Sequence, residues 1–291
     1  MATSDPAEGP AGFDVREFAR TAQGSLRGAV DVEVFTAEPL PRDVVGTLRA
    51  LAALEGATMA HLRNVLVTST HKDARVTAFL VTWAYEKFWI ADALQAVVDA
   101  STGTGGTSGA DAATPVNGAA DAPTSTGRRL VASAGRGPVR RALAGFTQGW
   151  AAVGAHMALG FVDDRMLRAA YARVVDVAAS DALDRVVAEI LHVKQRHAEF
   201  FDEEARRRLA ASPRAARLTR RELRRTSWPL GSAALEPGER RAFARFAFGG
   251  EAGDALADAL ARDIRALPGM DAHTAASVRE ALTTLAARPA A

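Results

Sequence analysis

The sequence predicts an all-α protein built on four long helices, with a long connection between the second and the third. Three observations carry this prediction. Apolar residues recur at helical spacing from Val44 onward, as they do on the buried face of an α-helix. No alternating strand pattern of useful length occurs in the chain. A Gly-, Ser-, Thr-, Ala- and Asp-rich segment at 101–127 separates two helical hairpins, as in four-helix bundles with a long crossover.

The composition is that of a soluble globular protein. Of the 291 residues, 48 % are hydrophobic and 24 % are charged, which supplies enough apolar material for a sizeable core. The absence of cysteine excludes disulfides, thiolate metal sites, iron–sulfur clusters and cysteine nucleophiles. A net charge of +2 does not select nucleic acid as a partner. The chain shows neither a signal-peptide pattern nor a membrane-length apolar run, so we expect a cytoplasmic protein that does not enter membranes.

The first hairpin follows an N-terminal segment. Residues 1–40 are predicted to be mostly disordered, with a short extended segment at DVEVF, 31–35. Apolar periodicity then predicts one helix at 47–67 and a second at 73–98. Asp73 is the expected N-cap of the second helix, because its side chain can accept hydrogen bonds from the first helical turn.

The second hairpin follows the low-complexity segment, which we expect to be a flexible crossover because it cannot bury enough apolar surface to order itself. A third helix is predicted at about 138–177 and a fourth at about 182–210. The bundle would thus occupy 41–210. The remaining residues, 211–291, are predicted to form an Arg-rich linker and a small C-terminal helical appendage, with one helix starting at Pro237.

Each predicted long helix carries ionisable residues within its apolar stripe. In chain order they are Glu55, Glu86, Asp164, and the pair Lys194 and His197. Burial of an unpaired charge is prohibitive, so these groups must meet one another, a metal or water. Glu55 and Glu86 are 31 residues apart and Asp164 and His197 are 33 apart, which brings each pair level across its hairpin. The sequence therefore predicts that these residues form a central polar network. The alternative is that they lie at the edges of the apolar stripes and reach solvent.

The sequence around these residues resembles the ferritin-like superfamily, and within it the di-iron carboxylate proteins related to bacterial acyl-carrier-protein desaturases. The segments that carry the resemblance are WAYEKFWIADAL (83–94), DDRMLRAAY (163–171) and KQRHAEFF (194–201). It extends over roughly 47–205 and implies a ferritin-like four-helix bundle. The family pattern is a Glu on each of two helices and a Glu-x-x-His on each of the other two.

Six positions carry the metal ligands of that pattern, and here they hold Glu55, Glu86, Trp89, Asp164, Lys194 and His197. Three of them match, Asp164 is a shortened substitute, and Trp89 and Lys194 replace a His and a Glu. The Lys194 ammonium can supply part of the lost metal charge by pairing with Glu86 or Asp164, while Trp89 would fill the space of the lost imidazole. The resemblance therefore implies a degenerate, metal-free ion-pair network without a catalytic residue or cofactor, in a binding or structural protein.

Two other functions stay open at this stage. One is a metal-dependent oxidase or oxygenase that holds iron or manganese through Glu55, Glu86, Asp164 and His197. The other is a non-redox binder of an apolar or aromatic small molecule, in an interhelical cleft lined by Trp83, Trp89 and Tyr171.

Three surface features complete the sequence-based expectations. The literal Glu-x-x-His at Glu189 and His192 is interpreted as a surface pair, because His192 lies about 140° around the helix from His197. The segment 206–225 contains nine arginines, which could contact phosphate or an acidic partner protein, although no aromatic residue is interleaved for single-strand stacking. Because the net charge is near zero, we interpret the segment as a solvated helix end whose charge is balanced by acids elsewhere. The bundle helices are expected to form a homodimer.

Overall fold

A computed structural model describes residues 12–103 and 149–287. Every regular element in these two ranges is helical, which confirms the all-α prediction for this part of the chain. The α-helices are α1 (Val15–Arg20), α2 (Val32–Ala37), α3 (Arg42–Gly56), α4 (Thr58–Leu66), α5 (Ala74–Thr102), α6 (Trp150–Ala178), α7 (Asp181–Ala211), α8 (Pro213–Arg225), α9 (Pro237–Phe248), α10 (Gly250–Arg265) and α11 (Ala272–Ala287). No described helix is long and apolar enough to cross a membrane.

The first hairpin consists of α3 and α4 packed against α5. The predicted single helix at 47–67 is divided at Ala57, directly after Gly56, which is a weak helix former. The Asp73 side chain accepts a hydrogen bond from the N–H of Val76 at 3.0 Å, so the predicted N-cap is confirmed. Gly103 ends α5 in the left-handed conformation, with a φ of 69°, which glycine adopts without steric cost.

The second hairpin consists of α6 and α7, which pack closely along their length. A Cβ atom at Gly160 of α6 would lie 2.3 Å from the ring of Phe201 on α7, so the close approach of the helices requires glycine there. The start of the predicted third helix, 138–148, lies outside the described residues. Most of the predicted crossover, 104–127, lies outside them as well.

The two hairpins pack against each other through contacts of α3 with α6 and of α5 with α7. The shared core consists of large aliphatic and aromatic side chains with almost no exposure, among them Leu48, Leu51, Phe79, Ile90, Leu167 and Ile190. Burial of each such side chain contributes about 1.5–3 kcal/mol. This apolar core surrounds the polar residues described below.

The N-terminal segment differs from the prediction. The DVEVF segment, expected to be extended, lies in α2 because Asp31 accepts a hydrogen bond from the N–H of Val34 at 3.2 Å and Phe35 is buried. Both α1 and α2 pack against α5. Residues 12–40 are thus folded onto the first hairpin, whereas 1–11 lie outside the described residues.

The C-terminal region contains the predicted helical appendage. The predicted Arg-rich linker is a helix, α8, which begins at Pro213 with Ser212 as its N-cap and packs against α6. Helix α9 begins at Pro237 as predicted and packs against α3. The last two helices, α10 and α11, pack against α9 and against each other.

Candidate functional site

The five ionisable residues of the predicted network are all buried. Their exposed fractions are Glu55 0 %, Glu86 1 %, Asp164 4 %, Lys194 0 % and His197 0 %. Helices α3, α5, α6 and α7 each contribute to the set. The residues form two clusters, one centred on Glu55 and one on Glu86, and not a single network.

The Glu55 cluster surrounds one carboxylate with two ammonium groups. Lys87 Nζ lies 2.7 Å from Glu55 Oε2, and Lys194 Nζ lies 3.2 Å from Oε1. The Tyr171 hydroxyl donates a hydrogen bond to Oε1 at 3.1 Å. Burial alone raises the pKa of Glu55, but Lys194 and Lys87 together lower it to about 2. Glu55 is therefore a carboxylate at neutral pH despite its complete burial.

Asp164 extends the Glu55 cluster along α6. Lys194 Nζ lies 3.1 Å from Asp164 Oδ1, and Arg168 Nε lies 2.9 Å from Oδ2. Burial alone lowers the pKa of Lys194, but Glu55 and Asp164 raise it to about 12. Of the two partners predicted for Lys194, the structure confirms Asp164. Glu86 faces the second cluster instead. Lys194 also pairs with Glu55, which was not predicted as its partner, and this ion pair links the two hairpins.

Asp163 is a further buried carboxylate beside the first cluster. Its Oδ1 accepts a hydrogen bond from the N–H of Leu230 at 2.7 Å, and burial raises its pKa to about 6. Together with Lys87 and His61 it lines a cavity of about 10 Å³, which has room for about one water molecule. Burial lowers the pKa of His61 to about 4, so this imidazole is neutral at pH 7.

The Glu86 cluster joins α5, α7 and the N-terminal segment. His197 Nε2 lies 2.7 Å from Glu86 Oε2, and Arg196 Nη2 lies 2.7 Å from Oε1. The N–H of Gln23 also donates to Oε1, at 2.8 Å. Burial and the charge of Lys194 hold the pKa of His197 well below its usual range. The His197 imidazole is therefore uncharged at neutral pH, and its tautomer with the proton on Nε2 donates a hydrogen bond to the Glu86 carboxylate.

Taken together, the two clusters are electrically balanced. The ion pairs join three carboxylates, Glu55, Glu86 and Asp164, to four cations, Lys87, Lys194, Arg168 and Arg196. Asp163, which makes no ion pair, supplies the fourth negative charge when it is ionised. Within residues 12–103 and 149–287, no set of three or more His, Asp or Glu side chains is arranged to hold one metal ion. The donor set does not fit a di-metal centre, because an ammonium lies between Glu55 and Asp164, where carboxylates would have to converge on a cation.

Lys87 and Asp163 were not recognised from the sequence. Lys87 adjoins Glu86, and the 100° turn between consecutive helical residues points its side chain toward α3 instead of α7. Lys87 is one of only three lysines in the chain, and this rarity was the one feature of the sequence that could have marked it as a candidate for the network. Asp163 was missed because its neighbour Asp164, in the DDRM segment, was assigned to the buried stripe in its place.

The three aromatic residues expected to line a cleft lie in different surroundings. Trp83 is buried, with Lys87 Nζ 4.9 Å above its ring and Phe201 at its edge. Trp89 is half-buried against Tyr85 and Phe88 on the outer side of α5, so it does not fill the centre as predicted. Tyr171 belongs to the Glu55 cluster. Trp83 and Trp89 lie about 120° apart around α5 and do not face a common cleft.

The remaining sequence features lie at the surface or in other ion pairs. Glu189 and His192 are exposed, as expected. Much of the Arg-rich segment makes ion pairs within the chain: Arg207 and Arg208 both contact the buried Glu204, and Arg206 contacts Asp202. These three contacts lie within α7, and a further ion pair of Arg208 with Asp73 joins the end of α7 to the start of α5.

The comparisons with known proteins identify no relative. No protein-family model, curated protein or solved structure matches this chain. Function is therefore inferred from the two clusters and from the surface around them.

Proposed function

We propose that this chain is a degenerate ferritin-like protein that works without a metal, as a binding or structural protein. The observation that carries the proposal is the pairing of both oxygens of Glu55 with ammonium groups, from Lys87 and Lys194. The two hairpins and the resemblance of the central sequence segments support the ferritin-like assignment. Where that architecture would hold metal ions, this chain holds its own cations.

The electrostatics of the centre support this role. The central carboxylates are already neutralised, so an added divalent cation would bring uncompensated charge into a site of low dielectric constant. A metal-dependent oxidase would require Lys194 to leave both Glu55 and Asp164. Its ammonium is completely buried and has no other carboxylate partner among the described residues.

The decisive experiment is a measurement of metal content. The full chain is expressed in medium supplemented with iron and manganese, purified without chelators and analysed by plasma mass spectrometry. We expect less than about 0.1 equivalents of either metal. A content near one or two equivalents that is lost in Glu86→Ala or Glu55→Gln would overturn the proposal. Lys194→Glu, which restores the family's carboxylate, is the matched variant for increased metal uptake.

We also propose that the protein is a homodimer through α5. Val81, Tyr85 and Phe88 are 54 %, 48 % and 55 % exposed. Their spacing of four and three residues places them on one face of the helix. A contiguous exposed apolar stripe of this kind is typical of an interaction surface.

A further inference from the structure

A cleft separate from both central clusters lies where α9 packs against α3. Its volume is about 460 Å³, within the range of small-molecule sites. Gly46 of α3 forms part of its wall, and a Cβ atom there would meet no other atom within 4 Å. The cleft therefore has room for a ligand beside Gly46.

Three arginines line this cleft from two sides. Arg42 and Arg49 are seven residues apart on α3 and so lie on the same face of the helix, while Arg245 extends from α9. None of the three side chains makes a hydrogen bond or an ion pair with another described residue. A guanidinium presents a planar set of N–H donors that matches a carboxylate. The three side chains are therefore available to an anion.

Two acidic side chains also line the cleft, and each accepts a hydrogen bond from the backbone. Asp43 Oδ1 accepts from the N–H of Val44 at 2.9 Å, and Glu239 Oε2 accepts from the N–H of Glu236 at 3.0 Å. With three guanidiniums and two carboxylates, the lining carries one net positive charge. A ligand with a single negative charge would neutralise it.

The remainder of the lining is largely apolar. Phe243 and Phe246 lie on the α9 side of the cleft, the first buried and the second half-buried. An aromatic ring next to arginines can bind an apolar body whose charged end reaches the guanidiniums. Inorganic ions would leave this surface uncovered.

We propose that the cleft between α3 and α9 binds a small organic monoanion with an apolar body, an aromatic or aliphatic carboxylate. Arg42, Arg49 and Arg245 hold the anionic group, and Phe246 packs against the apolar part. This inference gives the proposed binding role a site and rests on that role. It does not depend on the metal-free centre.

The test uses two fluorescent probes on the full chain: 1-anilinonaphthalene-8-sulfonate, an aromatic monoanion, and N-phenyl-1-naphthylamine, its uncharged analogue. We expect saturable binding of the anionic probe at one equivalent, and displacement by sodium decanoate but not by the same concentration of sodium phosphate. Absence of saturable binding, or equal displacement by phosphate, would overturn the proposal.

Variants then assign the probe to the cleft. Gly46→Leu fills the open space and should abolish binding, whereas Gly46→Ala is the matched control that should retain it. Arg49→Glu should weaken binding of the anionic probe about tenfold or more, as expected for a lost charge-assisted hydrogen bond, and should change binding of the neutral probe less. Near-UV circular dichroism shows whether Arg49→Glu is folded. If it is not, Arg245→Glu tests the same loss of a guanidinium from the α9 side of the cleft.

The outcomes separate this inference from the proposed function. Equal binding by Gly46→Leu and Gly46→Ala would overturn the cleft assignment and leave the metal analysis untouched. Metal bound at Glu55 and Glu86 would overturn the metal-independent role and leave these titrations unchanged.

Discussion

Lys194 on α7 and Glu55 on α3 form a buried ion pair with 3.2 Å between Nζ and Oε1, and neither side chain reaches solvent. This pair joins the two hairpins, whereas the ion pairs of Lys87 with Glu55 and of Lys194 with Asp164 lie within one hairpin each. Because the partners come from helices far apart in sequence, the pair also fixes the relative register of the hairpins. Loss of one partner would leave a buried charge uncompensated.

Lys194→Ala should destabilise the protein by about 3–5 kcal/mol, because Glu55 and Asp164 would lose a shared cation without access to water. Urea unfolding followed by circular dichroism measures this loss. Arg185→Ala is the matched control, since it removes a cation from the exposed side of the same helix and should change stability by less than about 0.5 kcal/mol. A cost for Lys194→Ala no larger than that of the control would contradict a buried ion pair.

Glu55 should stabilise the fold at neutral pH and lose this contribution in acid. Its pKa is lowered from 4.5 to about 2, so the unfolded chain takes up a proton at higher pH than the folded one. The stabilisation is fully present above pH 4.5 and falls as the pH decreases toward about 2. The difference in urea midpoint between the wild type and Glu55→Gln should therefore shrink from pH 6 to pH 3. A difference that stays constant over this range would argue against the lowered pKa.

Asp163 should have the opposite effect on stability. Its pKa is raised from 3.8 to about 6 by burial, so the folded state retains a proton that the unfolded state has lost, and stability falls as the pH rises through this window. Asp163→Asn keeps an oxygen for the N–H of Leu230 and removes the buried charge. The free energy of unfolding of the variant, relative to that of the wild type, should therefore rise by about 2–3 kcal/mol as the pH increases from 4 to 7.

Urea midpoints at pH 4, 5, 6 and 7 provide this measurement. Asp176→Asn, an exposed position on the same helix, is the control and should show a pH-independent difference. A pH-independent difference for Asp163→Asn itself would show that Asp163 ionises in the folded state as readily as in the unfolded one.

The sequence predicted which polar residues are buried better than it predicted how they pair. Apolar periodicity assigns Glu55, Glu86, Asp164, Lys194 and His197 to buried stripes, since a helical stripe depends only on residues close in sequence. Pairing depends on side-chain direction and on the axial offset between hairpins. The rotation of one residue along α5 therefore places a lysine, and not its neighbour Glu86, opposite Glu55.

The N-terminal segment shows a second limit of local patterns. The alternating letters of DVEVF favour a strand, but the Asp31 cap and the burial of Phe35 against the first hairpin favour one short helix. Tertiary packing decides between the two, and it is not visible in a window of five residues. The α3–α9 cleft is likewise not visible in a short sequence window, because its arginines come from distant segments that meet only in the folded chain.

Phe88→Glu should dissociate the proposed homodimer, because it places a carboxylate within the exposed stripe of Val81, Tyr85 and Phe88. Burial of that charge against a second copy would cost more than the apolar contact contributes. Sedimentation velocity over a range of protein concentrations should show a dimer for the wild type and a monomer for the variant. Asn64→Glu, which adds the same charge at an exposed position of α4, should remain dimeric. A wild type that sediments as a monomer at every concentration, or a Phe88→Glu variant as dimeric as Asn64→Glu, would rule out this face as the interface.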